Sequence, residues 1–157
     1  MNAPQAGEPA RISIALVTRN RPKNLERALA SVRAQDVQPF EIVVSDDSDD
    51  AFAETSRAVT EKAGVRWVRG PRRGLYANRN AAAAVCRGTH VRTMDDDHRW
   101  PEGHLSACWK AVASDPGAVW TVGEYMAYET VHAPPHPCPP ELHPRGFAAQ
   151  PRPGRGL

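Results

Sequence analysis

The chain has 157 residues, 41% of them apolar, and a formal charge of +2. That length suits one domain, and the near-neutral charge gives no broad electrostatic case for a nucleic-acid partner. Its three cysteines, Cys86, Cys108 and Cys138, are scattered and make neither a metal-ligand pair nor a disulfide framework, and no stretch approaches the ~18–20 apolar residues of a membrane span.

Residues 1–10 are polar, carry two prolines and lack the apolar centre of a signal peptide, so we read them as a flexible leader and expect a cytoplasmic protein. Peripheral contact with a membrane stays open. From Arg11 to Val17 the chain is mostly apolar and β-branched, as in a buried strand. Thr18 to Arg21 is a polar turn. Pro22 opens a helix in which Leu25, Ala28, Leu29 and Val32 share one face. Phe40 to Val44 reads as a second strand and runs into an acidic turn, Ser45 to Asp50. A second helix follows, with Phe52, Val59 and Ala63 on its buried face and Gly64 as its C-terminal cap.

Val65 to Arg69 is a third strand, and Gly70 to Gly74 a loop rich in turn residues. Leu75 to Cys86 contains the helix-favouring run Ala81 to Ala84, and Gly88 ends it. A short strand over Thr89 to Thr93 then leads into Met94-Asp95-Asp96-Asp97-His98. Pro101 suits the first turn of a fourth helix, carrying Leu105, Trp109 and Val112. Ala118 to Tyr125 reads as a fifth strand. Six prolines fall between Pro134 and Pro144, a density incompatible with a regular helix or central strand, and we expect residues 131–157 to be a disordered tail.

The alternation of strand and helix argues for an α/β domain over residues 11–130, a mostly parallel sheet with helices on both faces. Such a sheet places the ends of its strands on one edge, where ligands bind. Thr18, Arg19, Asn20, the Asp46-Asp47 pair, the Arg72-Arg73-Gly74 loop and the Asp95-Asp96-Asp97 run then converge. Three adjacent carboxylates repel one another unless a cation intervenes, and hard cations such as Mg2+ or Mn2+ favour oxygen ligands shared with phosphate. An isolated acidic run also reads as a solvated turn. Two of them, with an arginine-glycine loop and a helix N-terminus between, suit a charged nucleotide.

Val17-Thr18-Arg19-Asn20-Arg21-Pro22, Leu25 to Val32 and Glu41 to Ser48 resemble the opening of family 2 glycosyltransferases. Gly74-Leu75-Tyr76-Ala77-Asn78-Arg79-Asn80 resembles that family's glycine-to-Ala-Arg-Asn stretch, and Met94 to Asp97 its Asp-x-Asp (DxD) motif. The resemblance covers about residues 11–125 and implies a GT-A fold, a nucleotide-diphosphate sugar donor and a divalent metal, Mn2+ or Mg2+. By this similarity Asp47, with Asp46 beside it, holds the base, and Thr18, Arg19 and Asn20 line the same pocket. Asp95 meets ribose or sugar hydroxyls, and Asp97, with Asp95, the metal. Arg79 stands near the diphosphate or braces the acidic loop. Arg73 and Asp96 complete the nucleotide set, and Trp100 is the aromatic expected to touch a sugar.

Two departures follow. Arg19 occupies a position usually aromatic, and His98 one where many relatives carry another acid; it reads as either a metal ligand or a turn histidine. The acceptor-binding half of the family, with its general base, is not legible after Tyr125, so we expect the donor-binding half alone, apparently truncated, with the catalytic base and the acceptor unassigned. The competing reading is a nucleotide-sugar-binding module that does not turn over. A receiver-like domain shares the Asp46-Asp47 pocket but not the later motifs. A nucleotidyltransferase wants glycines after the first strand, where there are none.

Overall fold

In the computed structural model, which describes residues 10–115, four strands and four helices alternate. They are β1 (Ile12–Thr18), α1 (Pro22–Arg33), β2 (Glu41–Asp46), α2 (Asp50–Lys62), β3 (Arg66–Arg69), α3 (Leu75–Ala84), β4 (His90–Asp95) and α4 (His104–Ser114). The sheet order is β3-β2-β1-β4 and all three pairings are parallel. The fifth strand and the proline-rich tail expected from sequence lie outside the described residues. No helix among those described is long and apolar enough to cross a membrane.

β1 sits between two neighbours, and all seven of its residues are buried. Strand alternation sends its side chains to two different layers. Ile12, Ile14 and Leu16 join Leu25, Leu29 and Val32 of α1 and Leu105 and Val112 of α4 in the main core. Ala15 and Val17 face the other way, against Ala82 of α3. Helices therefore cover both faces. The small side chains on the α3 side let that alanine-rich helix lie close to the sheet.

Local signals placed most boundaries. Pro22 is at the start of α1, where its missing N–H costs nothing. Gly64 follows α2 with φ +63°, a left-handed cap that suits glycine. Three expectations fail. α2 buries Ser56 and Thr60 and leaves Phe52 exposed, with only Val59 and Ala63 reaching the core. α4 begins at His104 rather than at Pro101, because Gly103 in the left-handed region turns the chain first. β4 also runs two residues further than expected, so Asp95 ends the strand itself.

Under α4, His104 stacks on Trp100 with ring centroids 4.6 Å apart, and Arg92 Nε lies 3.4 Å from its Nε2. Burial first, and the Arg92 charge second, push its pKa down from 6.5 to about 4. Between those values the unfolded chain binds a proton that the folded chain refuses, so stability falls as pH falls through that window. His104→Phe keeps an aromatic ring against Trp100 and should flatten this part of the profile. Urea unfolding across the window checks it; an unchanged slope would remove His104 from the account.

Candidate functional site

Register brings the expected site residues to one edge. Thr18 pairs with Asp46 across β1–β2, and Val17 with Asp95 across β1–β4. The backbone continues the pairing one step past β2, where Asp47 N–H donates to Thr18 O at 3.0 Å.

The two carboxylates at the end of β2 turn to opposite faces, and both are buried. Asp46 is completely buried: Oδ1 accepts Ser48 N–H at 2.8 Å and Oδ2 accepts the Trp67 indole N–H at 3.2 Å. Fully enclosed, it has no surface to offer a ligand at the edge, so the expectation that it shares the base with Asp47 is corrected; it is an internal brace of the turn. Asp47 points toward the β3–α3 loop. Its Oδ1 accepts Arg72 N–H at 2.8 Å. Its Oδ2 has no partner among the described residues and is not sealed from solvent.

The acidic turn after β4 follows the same alternation. Asp95, still in the strand, faces α3, where Arg79 forks onto it: Nε donates to Oδ1 at 2.9 Å and Nη2 to Oδ2. Arg79 thus braces the acidic loop. Asp96 faces the opposite way and is buried, with Oδ2 accepting Thr18 Oγ–H at 2.7 Å. Its Oδ1 receives no aligned hydrogen bond, although Arg21 Nη2 stands 3.1 Å away. Burial raises the Asp96 pKa; the Thr18 hydrogen bond and the Arg21 charge oppose that shift. Asp97 is half exposed and pairs with Arg21 at 3.2 Å. A bond from His98 N–H to Asp95 O at 3.1 Å closes the turn. The closure gathers Asp95, Asp97 and His98, so that one ligand atom from each lies within 4.8 Å of the others.

The remaining candidates divide. Arg19 and Arg73 are exposed on the β1–α1 and β3–α3 loops; the Arg19 backbone N–H bears on Asp96, and no side-chain contact among the described residues fixes a role for either. Asn20, in the left-handed region at φ 57°, ties its loop to the next: its N–H donates to Ser48 Oγ at 2.7 Å, its Nδ2 to Asp49 Oδ2 at 2.7 Å, and its Oδ1 accepts Asp49 N–H at 2.8 Å. Trp100 is buried in the main core, so its expected contact with a sugar is corrected. Asn78 is not a helix cap: from inside α3 its Nδ2 donates to Ser45 O at 3.1 Å and its Oδ1 accepts Ser45 Oγ–H at 2.6 Å, clamping α3 to β2.

Sequence reasoning brought the Arg72 loop to this edge but missed what Arg21, Arg72 and Gly70 do there. Arg21 spans Asp96 and Asp97; its only signal was its place in the loop before Pro22. Arg72, at φ 55°, donates from Nη2 to Ser48 O at 3.1 Å and pairs with Asp50, strapping its loop over the acidic turn. Gly70 carried no signal of its packing: a Cβ there would fall 2.2 Å from Asp47 Oδ1 and 2.5 Å from Asn78 Oδ1. Cys86 and Cys108 are free, and burial raises both thiols, Cys86 to about 11, so neither is a thiolate at neutral pH.

Known proteins share this architecture. The family model for glycosyl transferase family 2 matches residues 13–154. WcaA of Escherichia coli K12, named as a glycosyl transferase of colanic acid biosynthesis, is 30% identical over 98 residues, which is 60% of this chain and 35% of that protein. GalNAc(5)-diNAcBac-PP-undecaprenol beta-1,3-glucosyltransferase of Campylobacter jejuni is 30% identical over 61% of this chain and 32% of its own length. Among solved structures, the mannosyltransferase PcManGT of Pyrobaculum calidifontis, in complex with GDP-Man and Mn2+, matches with TM-score 0.64 and 26% identity, over 78% of this chain and 38% of that one. S. aureus TarS 1-349 shares the fold at TM-score 0.56 and 24% identity, over 66% of this chain and 32% of that one. The chain belongs to glycosyl transferase family 2. It spans about a third of the length of the curated relatives it matches.

Proposed function

We propose that this domain holds a nucleotide-diphosphate sugar, with Mn2+ or Mg2+, for transfer of the sugar to an acceptor. The observation that carries the reading is the division of labour at the sheet edge. One carboxylate, Asp47, keeps an unpartnered oxygen beside the Arg72 loop, while a separate turn gathers Asp95, Asp97 and His98. The oxygen of Asp47 suits a base N–H. Two carboxylates and an imidazole fit a small divalent cation.

In this reading Asp97 and Asp95 hold the metal, His98 can add a nitrogen ligand, and Arg79 fixes the direction of Asp95. When bound, the metal offsets the charge of the departing diphosphate. Thr18 and Asp96 lock β1 to the acidic turn, so the base side and the metal side of the site stay in register. Arg19 and Arg73 bring positive charge to the same edge. The DxD reading of Asp95 to Asp97 and a cytoplasmic setting belong to this proposal, and the acceptor is unassigned. Solved relatives named above or like them support the donor class: one is in complex with GDP-Man and Mn2+, and TarS with UDP-GlcNAc. Calorimetric titration of nucleoside diphosphates with and without Mn2+ tests it. Metal-dependent binding is the expected result; equal affinity in both conditions would remove the metal.

A further inference from the structure

We propose that the opposite edge of the sheet, where the strands begin, carries a second site, one that binds a phosphate group through Arg33, Arg66 and Arg87. A groove of about 310 Å³ crosses that edge at the start of β2 and β3. Its volume lies at the lower end of the roughly 300–1,000 Å³ of small-ligand pockets. Three separate elements each bring one arginine to it: Arg33 closes α1, Arg66 opens β3 and Arg87 follows α3. Glu41, at the start of β2, is the only acid in the lining among the described residues.

Each guanidinium is anchored, and none is used up. Arg33 Nη2 donates to Ala63 O at the end of α2. Arg66 Nη1 donates to Val85 O, just past α3, at 2.9 Å. Arg87 Nε and Nη2 both reach Glu41 Oε2 at 3.1 Å, and the Ser13 hydroxyl steadies that carboxylate at 2.9 Å. A guanidinium has five N–H donors. The donors left over on these three arginines have no partner among the described residues.

The anchors leave the groove positive. Three guanidiniums stand against one carboxylate. The helix ends that Arg33 and Arg66 cap carry no more than about half a charge each, so roughly one positive charge remains. Capping by itself needs one donor from each arginine and no convergence on a common groove. An oxyanion uses the rest. Phosphate suits them best, because a guanidinium fork donates two parallel bonds to two of its oxygens. Phe40 lines the same groove, half exposed, with the Arg11 guanidinium 4.9 Å from its ring centroid. Whatever carries the phosphate therefore meets an apolar face beside the charges. A small phosphate ester and a phospholipid headgroup present the same group to these arginines.

The experiment is amide-resolved NMR of the full chain, titrated with inorganic pyrophosphate in the presence of a chelator, so that no metal joins at the other edge. Saturable shifts are expected at the amides of Phe40, Gly64, Val65 and Arg87, all of which line the groove. Arg66→Gln should weaken the affinity about tenfold or more, the worth of a charge-assisted hydrogen bond. Arg57→Gln, which removes the same charge from the exposed surface of α2, should leave it unchanged. Arg33→Gln replaces Arg66→Gln where the latter fails to fold, and the wild-type map stands without either. Flotation with vesicles of phosphatidylglycerol and phosphatidylcholine separates the two carriers. Vesicle binding that Arg66→Gln abolishes assigns the site to a headgroup; saturable pyrophosphate shifts without vesicle binding assign it to a free ester. Shifts confined to the edge that holds Gly74 and Asp95, or equal losses in Arg66→Gln and Arg57→Gln, overturn the site. So does the absence of both saturable shifts and vesicle binding.

Discussion

Asp97→Ala is expected to abolish the effect of Mn2+ on nucleotide binding while leaving the fold intact. Asp97 is the one carboxylate of its turn that is half exposed, and its protein partners are the equally exposed Arg21 at 3.2 Å and His98 at 3.7 Å. Losing a surface ion pair of this kind costs about 0–1 kcal/mol, so the urea midpoint should barely move. Loss of function should be large, because a ligand to the metal disappears. Even outer-shell partners of metal ligands typically carry ~10–100-fold in metal affinity, and a direct ligand should reach the upper end or beyond. Asp95→Ala is a less clean probe, since it also strands Arg79, whose guanidinium forks onto that carboxylate. A variant lacking Asp97 that still responds to Mn2+ like the wild type would move the metal elsewhere.

Gly70→Ala is expected to weaken nucleotide binding about tenfold or more and to cost roughly 1–3 kcal/mol of stability, because the new methyl displaces buried, hydrogen-bonded side chains. Asp47 Oδ1 at 2.2 Å and Asn78 Oδ1 at 2.5 Å must both give way. When they do, the base-facing carboxylate leaves its bond to Arg72 or the clamp from α3 to β2 loosens. Gly88→Ala is the counter-case. Its methyl would meet Arg11 O at 2.5 Å, Ser13 Oγ at 2.5 Å and Ser13 N at 3.0 Å, mostly backbone of the central strand. Backbone cannot swing aside, so this variant should lose ~1–3 kcal/mol of stability and keep its nucleotide affinity. Urea unfolding and calorimetry on the two variants decide the matter. Equal binding by Gly70→Ala and wild type would mean that the loop does not set Asp47.

The elements were legible because each strand is a short aliphatic run and each break carries glycine, proline or a charge cluster. Alternation of β and α then implied the parallel sheet. Side-chain direction at the strand ends was harder to read. Asp46 and Asp47 look alike in sequence, yet strand parity sends one into the core against Trp67 and the other to the edge. Parity also sends Asp95 to Arg79 and Asp96 to Thr18. Counting alternation from β1 outward would have separated both pairs. Trp100 misled because proximity to the acids in sequence is not exposure: the chain turns back after Asp97 and sets the ring under His104. In α2, Phe52 looked like an anchor, but that helix rests on Ser56 and Thr60, whose small size only packing reveals.

The central claim is that one edge of this sheet binds a nucleoside diphosphate and a divalent cation together. Coupled binding has a property that separate sites lack: each ligand tightens the other by the same factor. Mn2+ affinity is read by electron paramagnetic resonance with and without UDP, and UDP affinity by calorimetry with and without Mn2+, each corrected for the Mn2+–UDP complex formed in free solution. Two enhancement factors that agree in the wild type, and that both fall to one in Asp97→Ala, are the predicted result. Enhancement that survives in Asp97→Ala, or no enhancement in the wild type, would contradict it.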